Sequence, residues 1–357
     1  MLVLSNEDVE RLLPMPDCIA ALEPMYADYG SGRALLAPRV DNIAPAKLDG
    51  AYYAFKHMGG TWPARGIQAL RINSDVITHP LVAGKPRRVK QPLANGRWVG
   101  LVLLFSTETG TLLAMFPDGV MQRLRVGAAN GIAMKHLARE DARTLALIGA
   151  GWQAGAQLMA ALAVRRFREV RVFSPRKESR DAFVAEARSR HAGVEIRAVD
   201  STQAAAAGAD VIAAATSSMV RVIDPAWLKP GVHASCIKSQ EVDRDVFARC
   251  DRLVLHTSEQ PKAAENVLAG TPNLSSESGR GWWNDGATDF AQFSDLGRIV
   301  SKQAPGRRDA HEITCFVNNV GMGLQFAAAG ALVLERAREA RAGHELPDDW
   351  FTEDVHP

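Results

Sequence analysis

Thr144-Leu-Ala-Leu-Ile-Gly-Ala-Gly-Trp-Gln-Ala154 decides the fold of this chain. Leu145 to Ile148 form an apolar run of strand length, and Gly149, Gly151 and Ala154 follow as G-x-G-x-x-A. That order predicts a buried strand, a tight turn and the start of a helix. Gly149 permits the turn, Gly151 lets backbone N–H groups approach a phosphate, and the small Ala154 lets helix pack on strand. The helix N-terminus then faces the anion with its unpaired N–H groups and the positive end of its dipole. The stretch points to the pyrophosphate of a dinucleotide, with Gly149, Gly151, Trp152, Gln153 and Ala154 as cofactor-binding candidates. On its own the pattern also fits a tight turn in any α/β protein.

Downstream, strands and helices alternate. Strands are expected at Glu169–Phe173, Val194–Val199, Ala209–Ala215, Gly231–Ile237 and Arg252–His256, with helices at 152–166, 176–191 and 202–208. Such alternation implies a parallel, doubly wound sheet. In NAD-binding versions of this unit an Asp or Glu about 20 residues past the glycine turn takes the ribose hydroxyls. Here that place holds Ser174-Pro-Arg-Lys177. Ser174 can donate to a phosphate oxygen and Arg176 and Lys177 supply charge, so NADP(H) is the expected cofactor and NAD(H) the alternative. The plain reading of the same residues is an ordinary helix start. Thr216, just past the fourth strand, completes the cofactor set.

Upstream, Ser5 reads as the N-cap of a first helix with Asp8 in its first turn. A second helix is expected from Asp17, with Ile19, Leu22, Met25 and Tyr26 at helical spacing, ended by Gly30-Ser-Gly32. Pro38 biases Ala37–Val40 toward extended backbone. Alternation over Ala51–Met58 puts Tyr53, Phe55 and His57 on one face of a strand and Tyr52, Ala54 and Lys56 on the other, and Gly59-Gly60 is expected to break it. Ile67–Ile77 and Val99–Ser106 read as further strands. Between them Pro80–Arg97 is a long hairpin-like excursion whose basic run, Lys85-Pro-Arg-Arg-Val-Lys90, is either an anion site or, more plainly, a solvated loop. Glu108-Thr-Gly110 reads as a turn, so this region is a mostly antiparallel sheet with flanking helices. A helix over Met121–Leu137 carries Arg123 and Arg125 near its start, where a guanidinium and a helix N-terminus suit a carboxylate. Toward the end, Thr271–Leu296 is irregular, including Trp282-Trp-Asn-Asp285, as in a lid or exposed loop. Ile313–Arg341 reads as helical, with small residues over Gly321–Gly330, a stop at Gly343 and a loose polar tail.

The 357 residues, 47% apolar and 23% charged, are enough for two domains of a soluble protein. A formal charge of +2 argues against bulk nucleic-acid binding. No apolar run approaches the roughly 20 residues that span a bilayer. The acidic Met-Leu-Val-Leu-Ser-Asn-Glu-Asp start is unlike a signal peptide. Cys18, Cys236, Cys250 and Cys315 are far apart and form no C-x-x-C pair, which argues against a zinc site or a disulfide framework and suits thiols in a reducing cytoplasm.

Together, Pro38-Arg39, Phe55-Lys56, Thr109-Gly110, Leu124-Arg125, Gly149–Ala154, Leu228-Lys-Pro-Gly231 with His233, and Glu312-Ile-Thr-Cys-Phe316 with Gly321 resemble the ornithine cyclodeaminase/mu-crystallin family over nearly the whole chain. The resemblance implies a Rossmann doubly wound parallel sheet (residues 123–318) inserted in an α/β substrate-binding and dimerisation domain (1–122 plus 319–357), paired as a homodimer. It implies hydride transfer between a nicotinamide and the Cα of an amino acid or its imine. Arg39 and Arg125 match the family arginines that hold the substrate carboxylate, and Lys56 matches the lysine beside the reacting carbon. Two departures matter. Gln122 and Val126 stand where Thr is common. The Asp that receives the distal amine in ornithine cyclodeaminases is missing from Ile237-Lys-Ser-Gln-Glu-Val-Asp243. Gln240 falls nearest to it, Glu241 next, and Lys238 makes a cationic amine less welcome; Asp285 is a more remote substitute. The expectation is an NADP(H)-dependent imine reductase or amino-acid dehydrogenase with Lys56 as acid and Glu241 or Gln240 in reserve. The alternatives are an ornithine cyclodeaminase that recycles its cofactor and a non-catalytic NADPH-binding protein.

Overall fold

Two long antiparallel strands, Tyr52–Trp62 and Ile67–Thr78, pair along their whole length and anchor the first half of the architecture. Both alternate strictly between buried and half-exposed positions at their Tyr52 and Ile67 ends, because one face of their sheet is covered and the other is not. The computed structural model describes residues 1–82, 85–86, 88–258, 264–272 and 289–355. Trp282–Asp285 lie outside the described residues, as does Arg87 of the basic run. The chain divides into one unit of residues 1–125, 260–274 and 322–357 and a second of 126–259 and 275–321. The sequence-based division differs most at residues 260–274. There Ala264–Val267 pairs in parallel with Val40–Pro45 and so joins the first unit's sheet.

Among the described residues the first unit builds a ten-stranded mixed sheet. Its central order is Val40–Pro45, Tyr52–Trp62, Ile67–Thr78, Val99–Ser106 and Leu112–Pro117, antiparallel throughout. Helix Gly323–Ala340 packs on the strands Tyr52–Trp62 and Ile67–Thr78, and helix Met15–Gly30 packs on that helix. Ser5 caps the first helix in a reciprocal box with Asp8, as its sequence expects. Gly59-Gly60 does not break the strand, which runs on to Trp62. The two glycines instead admit the N-terminus of helix Gly323–Ala340: a Cβ on Gly60 would lie 2.3 Å from Leu324 N, and one on Gly323 would lie 2.1 Å from the Gly59 carbonyl carbon.

The Ile313–Arg341 stretch is not one helix. Thr314–Val317 is a strand, the helix begins at Gly323, and it ends on Arg341 in the left-handed region (φ 51°) ahead of Gly343. Four consecutive buried residues, Thr-Cys-Phe-Val, suit a strand covered on both faces better than one side of a helix. Nor is the tail wholly loose, since His344–Glu345 pairs with Leu2–Val3.

In the second unit the described residues form an eight-stranded sheet, all pairs parallel. From one edge it runs Glu195–Ala198, Glu169–Phe173, Thr144–Ile148, Val211–Ala214, His233–Cys236, Thr314–Val317, Arg252–Leu255 and Ser294–Asp295. Leu145, Leu147, Val170 and Val172 pack with Ala154, Leu158 and Ala161 on one side; Ala146, Ile148, Ile212 and Ala234 pack on the other. Burial on both faces explains why the central strands Thr144–Ile148 and Val211–Ala214 read as continuous apolar runs.

Candidate active site

In the middle of the covered face of the first sheet the side chains turn polar. Lys56 sits mid-strand, opposite Asp41 on one neighbouring strand and Asn73 on the other. All three are at most 5% exposed, so they form a buried polar row across three strands. Gly100 lies opposite Asn73, and a Cβ there would fall 2.1 Å from Asp118 Oδ1. The missing side chain therefore makes room for the Asp118 carboxylate, whose Oδ2 accepts from Arg71 Nε at 2.7 Å and Asn73 Nδ2 at 3.1 Å.

Arg39 donates from Nε and Nη2 to the two oxygens of Asp41, at 2.7 and 2.6 Å, the bidentate geometry that fixes a guanidinium. Asp41 Oδ2 also lies 4.0 Å from Lys56 Nζ. The Lys56 pKa is lowered to about 7, by burial first and then by the charges of Arg88 and Arg39, with Asp41 and Asp75 working against them. Lys90, from the excursion, places Nζ 2.9 Å from Asp75 Oδ2. The basic run is thus not simply a solvated loop: Lys90 pairs with a buried carboxylate and Arg88 is half-buried.

Arg125 is 5% exposed in the first half of helix Gly119–Leu137. Its Nη1 donates to Gln325 Oε1 at 2.8 Å and its guanidinium carbon lies 5.2 Å from the Phe326 ring centroid. Gln325 Nε2 in turn donates to Tyr26 Oη at 3.0 Å and to the Arg125 carbonyl at 3.1 Å. Arg125 Nε is buried with no hydrogen-bond partner. Burial lowers the Arg125 pKa to about 10, which leaves it cationic at neutral pH. Arg39 acts electrostatically on both Lys56 and Arg125, so the three expected substrate residues share one field. Asp41, Arg71, Asn73, Asp118 and Gln325 escape the sequence reading. One signal was available: Arg71, Asn73 and Asp75 repeat at period two along one strand, as a polar stripe on one face must.

In the second unit Gly149 adopts φ 126°, and a Cβ on it would lie 2.2 Å from the Ala215 carbonyl oxygen. Gly151 is the N-cap of helix Trp152–Val164, with no side chain capping it and open space where a Cβ would stand. Ala154 is fully buried, Gln153 half-buried and Trp152 57% exposed. An uncapped helix start beside an open glycine at the end of a parallel strand fits a dinucleotide pyrophosphate. At the end of the next strand Ser174 is half-buried, and Arg176 and Lys177 are exposed. Lys177 Nζ lies 2.5 Å from Asp181 Oδ2, so of the two cations Arg176 is the better placed for a ligand phosphate.

Glu241 is fully buried. Its Oε1 accepts from Thr216 N at 2.6 Å and Thr216 Oγ1 at 2.7 Å, and its Oε2 accepts from Ile237 N at 3.0 Å. Burial raises its pKa against the pull of these bonds. The carboxylate thus ties together the ends of two adjacent parallel strands, Val211–Ala214 and His233–Cys236, and Gln240 sits half-buried beside it.

The ornithine cyclodeaminase/mu-crystallin family model matches residues 1–341. Alanine dehydrogenase of Archaeoglobus fulgidus is 27% identical over 358 aligned positions, covering 97% of this chain and 98% of that protein. Iminosuccinate reductase of Paracoccus denitrificans is 27% identical over 353 positions, covering 97% and 99%. The structure of Thermococcus litoralis Δ1-pyrroline-2-carboxylate reductase, in complex with NADH and L-proline, shares the fold with a TM-score of 0.76 at 24% identity, over 97% of this chain and 100% of that one.

Proposed function

The chain belongs to the ornithine cyclodeaminase/mu-crystallin family, and on that premise we propose that it is an NADP(H)-dependent imine reductase or amino-acid dehydrogenase. Hydride moves between the nicotinamide and the Cα of a small amino or imino acid. The observation that carries this reading is the buried row in which Lys56 faces Asp41 and Asn73, with Arg39 and Arg125 acting on the same field.

When bound, the cofactor supplies hydride donation and acceptance at its nicotinamide. The chain does the rest. Arg125 offers its guanidinium to the substrate carboxylate, and Arg39 holds the charge beside it in an orientation fixed by Asp41. Lys56, with a pKa of about 7, donates a proton to the imine nitrogen as the carbon is reduced, and recovers it from the amine in the reverse direction. Gly149, Gly151, Trp152, Gln153 and Ala154 would hold the pyrophosphate and Thr216 would approach the nicotinamide end. The absence of a carboxylate at Ser174–Lys177 and the exposed Arg176 support a 2′-phosphate. Both Archaeoglobus alanine dehydrogenase and Paracoccus iminosuccinate reductase carry names of the proposed reaction class. A homodimer joined through the first unit goes with the family assignment. Cyclodeaminase chemistry is disfavoured because Glu241 spends both carboxylate oxygens on backbone and hydroxyl donors of its own unit.

The test is a nicotinamide-absorbance assay with NADPH and NADH against cyclic imines and against 2-oxo acids plus ammonium, with ammonia release from ornithine followed in parallel. Net NADPH oxidation with an imine supports the proposal. Ammonia from ornithine without net absorbance change, or tight NADPH binding with no turnover across the panel, would overturn it.

A further inference from the structure

A short chain of amides stands at the carboxyl end of the second unit's sheet, on the side away from Glu169–Phe173. Strand His233–Cys236 lies two strands from Thr144–Ile148, and strand Thr314–Val317 lies three. At the spacing of neighbouring strands that is roughly 10–15 Å from the strand that leads into the glycine turn. A sheet ordered this way takes a dinucleotide across the carboxyl ends of its strands. With the 2′-phosphate at Ser174 and Arg176, past the end of Glu169–Phe173, the nicotinamide half takes the opposite side, toward Cys236 and Asn318.

Asn318 directly follows Thr314–Val317, and its backbone N–H donates to the Cys236 carbonyl at 3.2 Å. Asn130, on helix Gly119–Leu137, donates from Nδ2 to the same carbonyl at 3.4 Å. A carbonyl only accepts, so this bond fixes which way the Asn130 amide is turned and leaves its Oδ1 to accept. That oxygen accepts from Asn318 Nδ2 at 2.9 Å. The donors therefore run one way, from Asn318 through Asn130 to Cys236, and the chain begins at Asn318 Oδ1, an acceptor whose orientation is set. Both asparagines are at most 4% exposed. Asn318 Oδ1 accepts no hydrogen bond from the described residues, and unlike Ser235 Oγ it is not closed off from solvent. The helix that carries Asn130 is held at its far end. Arg165 Nη2 donates to the Met134, Lys135 and Ala138 carbonyls at 3.1, 2.9 and 2.9 Å, and Leu137 O accepts from Arg307 Nε at 2.6 Å and Thr314 Oγ1 at 2.9 Å.

We propose that Asn318 reads the nicotinamide carboxamide: its Oδ1 accepts from the amide N–H and fixes the ring about its bond to the ribose. The inference rests on the reading of the chain as a nicotinamide enzyme and names the residue that turns the ring, with Asn130 positioning it. A side chain locked by a second amide suits this task, because an acceptor that could flip to a donor would not tell a carboxamide N–H from a carbonyl oxygen.

The test is calorimetric binding, to the full chain, of NADP⁺ and of its 3-acetylpyridine analogue, in which a methyl group replaces the carboxamide nitrogen. The NAD⁺ pair is run alongside, so that the 2′-phosphate is judged apart from the amide. The natural cofactor is expected to bind about tenfold more tightly than its analogue, as for one hydrogen bond to a buried acceptor. Asn318→Ala is expected to narrow that ratio to within about twofold. Asn318→Leu, which keeps the volume, serves if the Ala variant melts early and should narrow the ratio in the same direction. Asn130→Ala should narrow it part of the way, because Asn318 is then free to turn. 2′-Phospho-ADP-ribose, which lacks the pyridine ring, should bind all of these proteins alike. Equal affinities for cofactor and analogue in the unsubstituted protein, a ratio that survives both Asn318 variants, or a parallel loss of phospho-ADP-ribose affinity would overturn the inference. Failure of the reductase reading would appear separately, as absence of turnover across the imine and amino-acid panel while the preference for the carboxamide and its loss in Asn318→Ala persist.

Discussion

Asp41 stands directly opposite Lys56 on a neighbouring antiparallel strand, its Oδ2 4.0 Å from Nζ, while its two oxygens hold the Arg39 fork. One buried carboxylate thus orients Arg39, proposed to hold the substrate, and steadies the protonated form of Lys56, the proposed acid. Among the groups that raise the Lys56 pKa, Asp41 comes first. Asp41→Asn removes that support, so the kinetic pKa seen in kcat/KM should fall below about 7 and Arg39 should lose its fixed geometry. A drop in kcat/KM of about tenfold or more is expected, as for loss of one charge-assisted contact. A pH–rate profile and KM indistinguishable from the parent protein would remove Asp41 from this role.

Lys56 itself should give opposite pH profiles in the two directions. In the proposed reaction reduction needs the ammonium, so its kcat/KM should decline as pH rises through about 7, whereas oxidation needs the free amine and should gain over the same interval. Stability supplies an independent readout. The folded pKa, about 7, lies below the value of about 10.4 expected in the unfolded chain. Between them the unfolded state binds more protons, so Lys56 makes the protein more stable as pH rises from 7 toward 10. Urea unfolding at pH 7 and pH 9 should show a Lys56-dependent gain on the order of 2 kcal/mol that disappears in Lys56→Met. A pH trend identical in the two proteins would place the Lys56 pKa elsewhere.

Glu241→Gln should register chiefly in stability. The carboxylate accepts three hydrogen bonds in a fully buried turn, and the amide that replaces it turns one acceptor into a donor facing donors. A loss of about 1–3 kcal/mol is expected, measured by thermal or urea unfolding. An unchanged unfolding midpoint together with abolished turnover would restore Glu241 to the chemistry.

The second unit was legible because its central strands are covered on both faces: Thr144–Ile148 reads as a strand from its own apolar run, and its parallel partners follow from the βα alternation. Thr314–Val317 was not, because a short apolar run beside a long helix carries no period of its own, and the slot between His233–Cys236 and Arg252–Leu255 exists only in the folded sheet. In the site, Arg39, Lys56 and Arg125 could be singled out one by one, yet the partners that define their states could not. Gln325 lies 200 residues from Arg125, and the glycine opposite Asn73 matters only through the Asp118 carboxylate it admits. Lys90 reads as a loop cation until the register of Val89–Gln91 sets it opposite Ile77, where its ammonium meets Asp75.

The same limit of local reading bears on Gly60, where the cost of a single methyl group can be measured. An isolated glycine pair argues for a strand end, but helix Gly323–Ala340 starts against it, and a Cβ on Gly60 would stand 2.3 Å from Leu324 N and 2.7 Å from its Cα. Backbone cannot rotate out of the way as a side chain can, so Gly60→Ala must push the helix start outward. The next two residues of that helix are Gln325, which binds Arg125, and Phe326, which underlies it. Gly60→Ala should therefore cost about 1–3 kcal/mol or more of stability, as overpacking does, and should also raise KM for the carboxylate substrate at temperatures where the variant stays folded. Gly119→Ala is the control. Its added Cβ meets only Asn6 Oδ1, at 3.7 Å, in a helix where alanine is favoured over glycine. It should leave stability unchanged or slightly higher. Equal unfolding midpoints for Gly60→Ala and the parent protein would mean that the helix does not start against the strand.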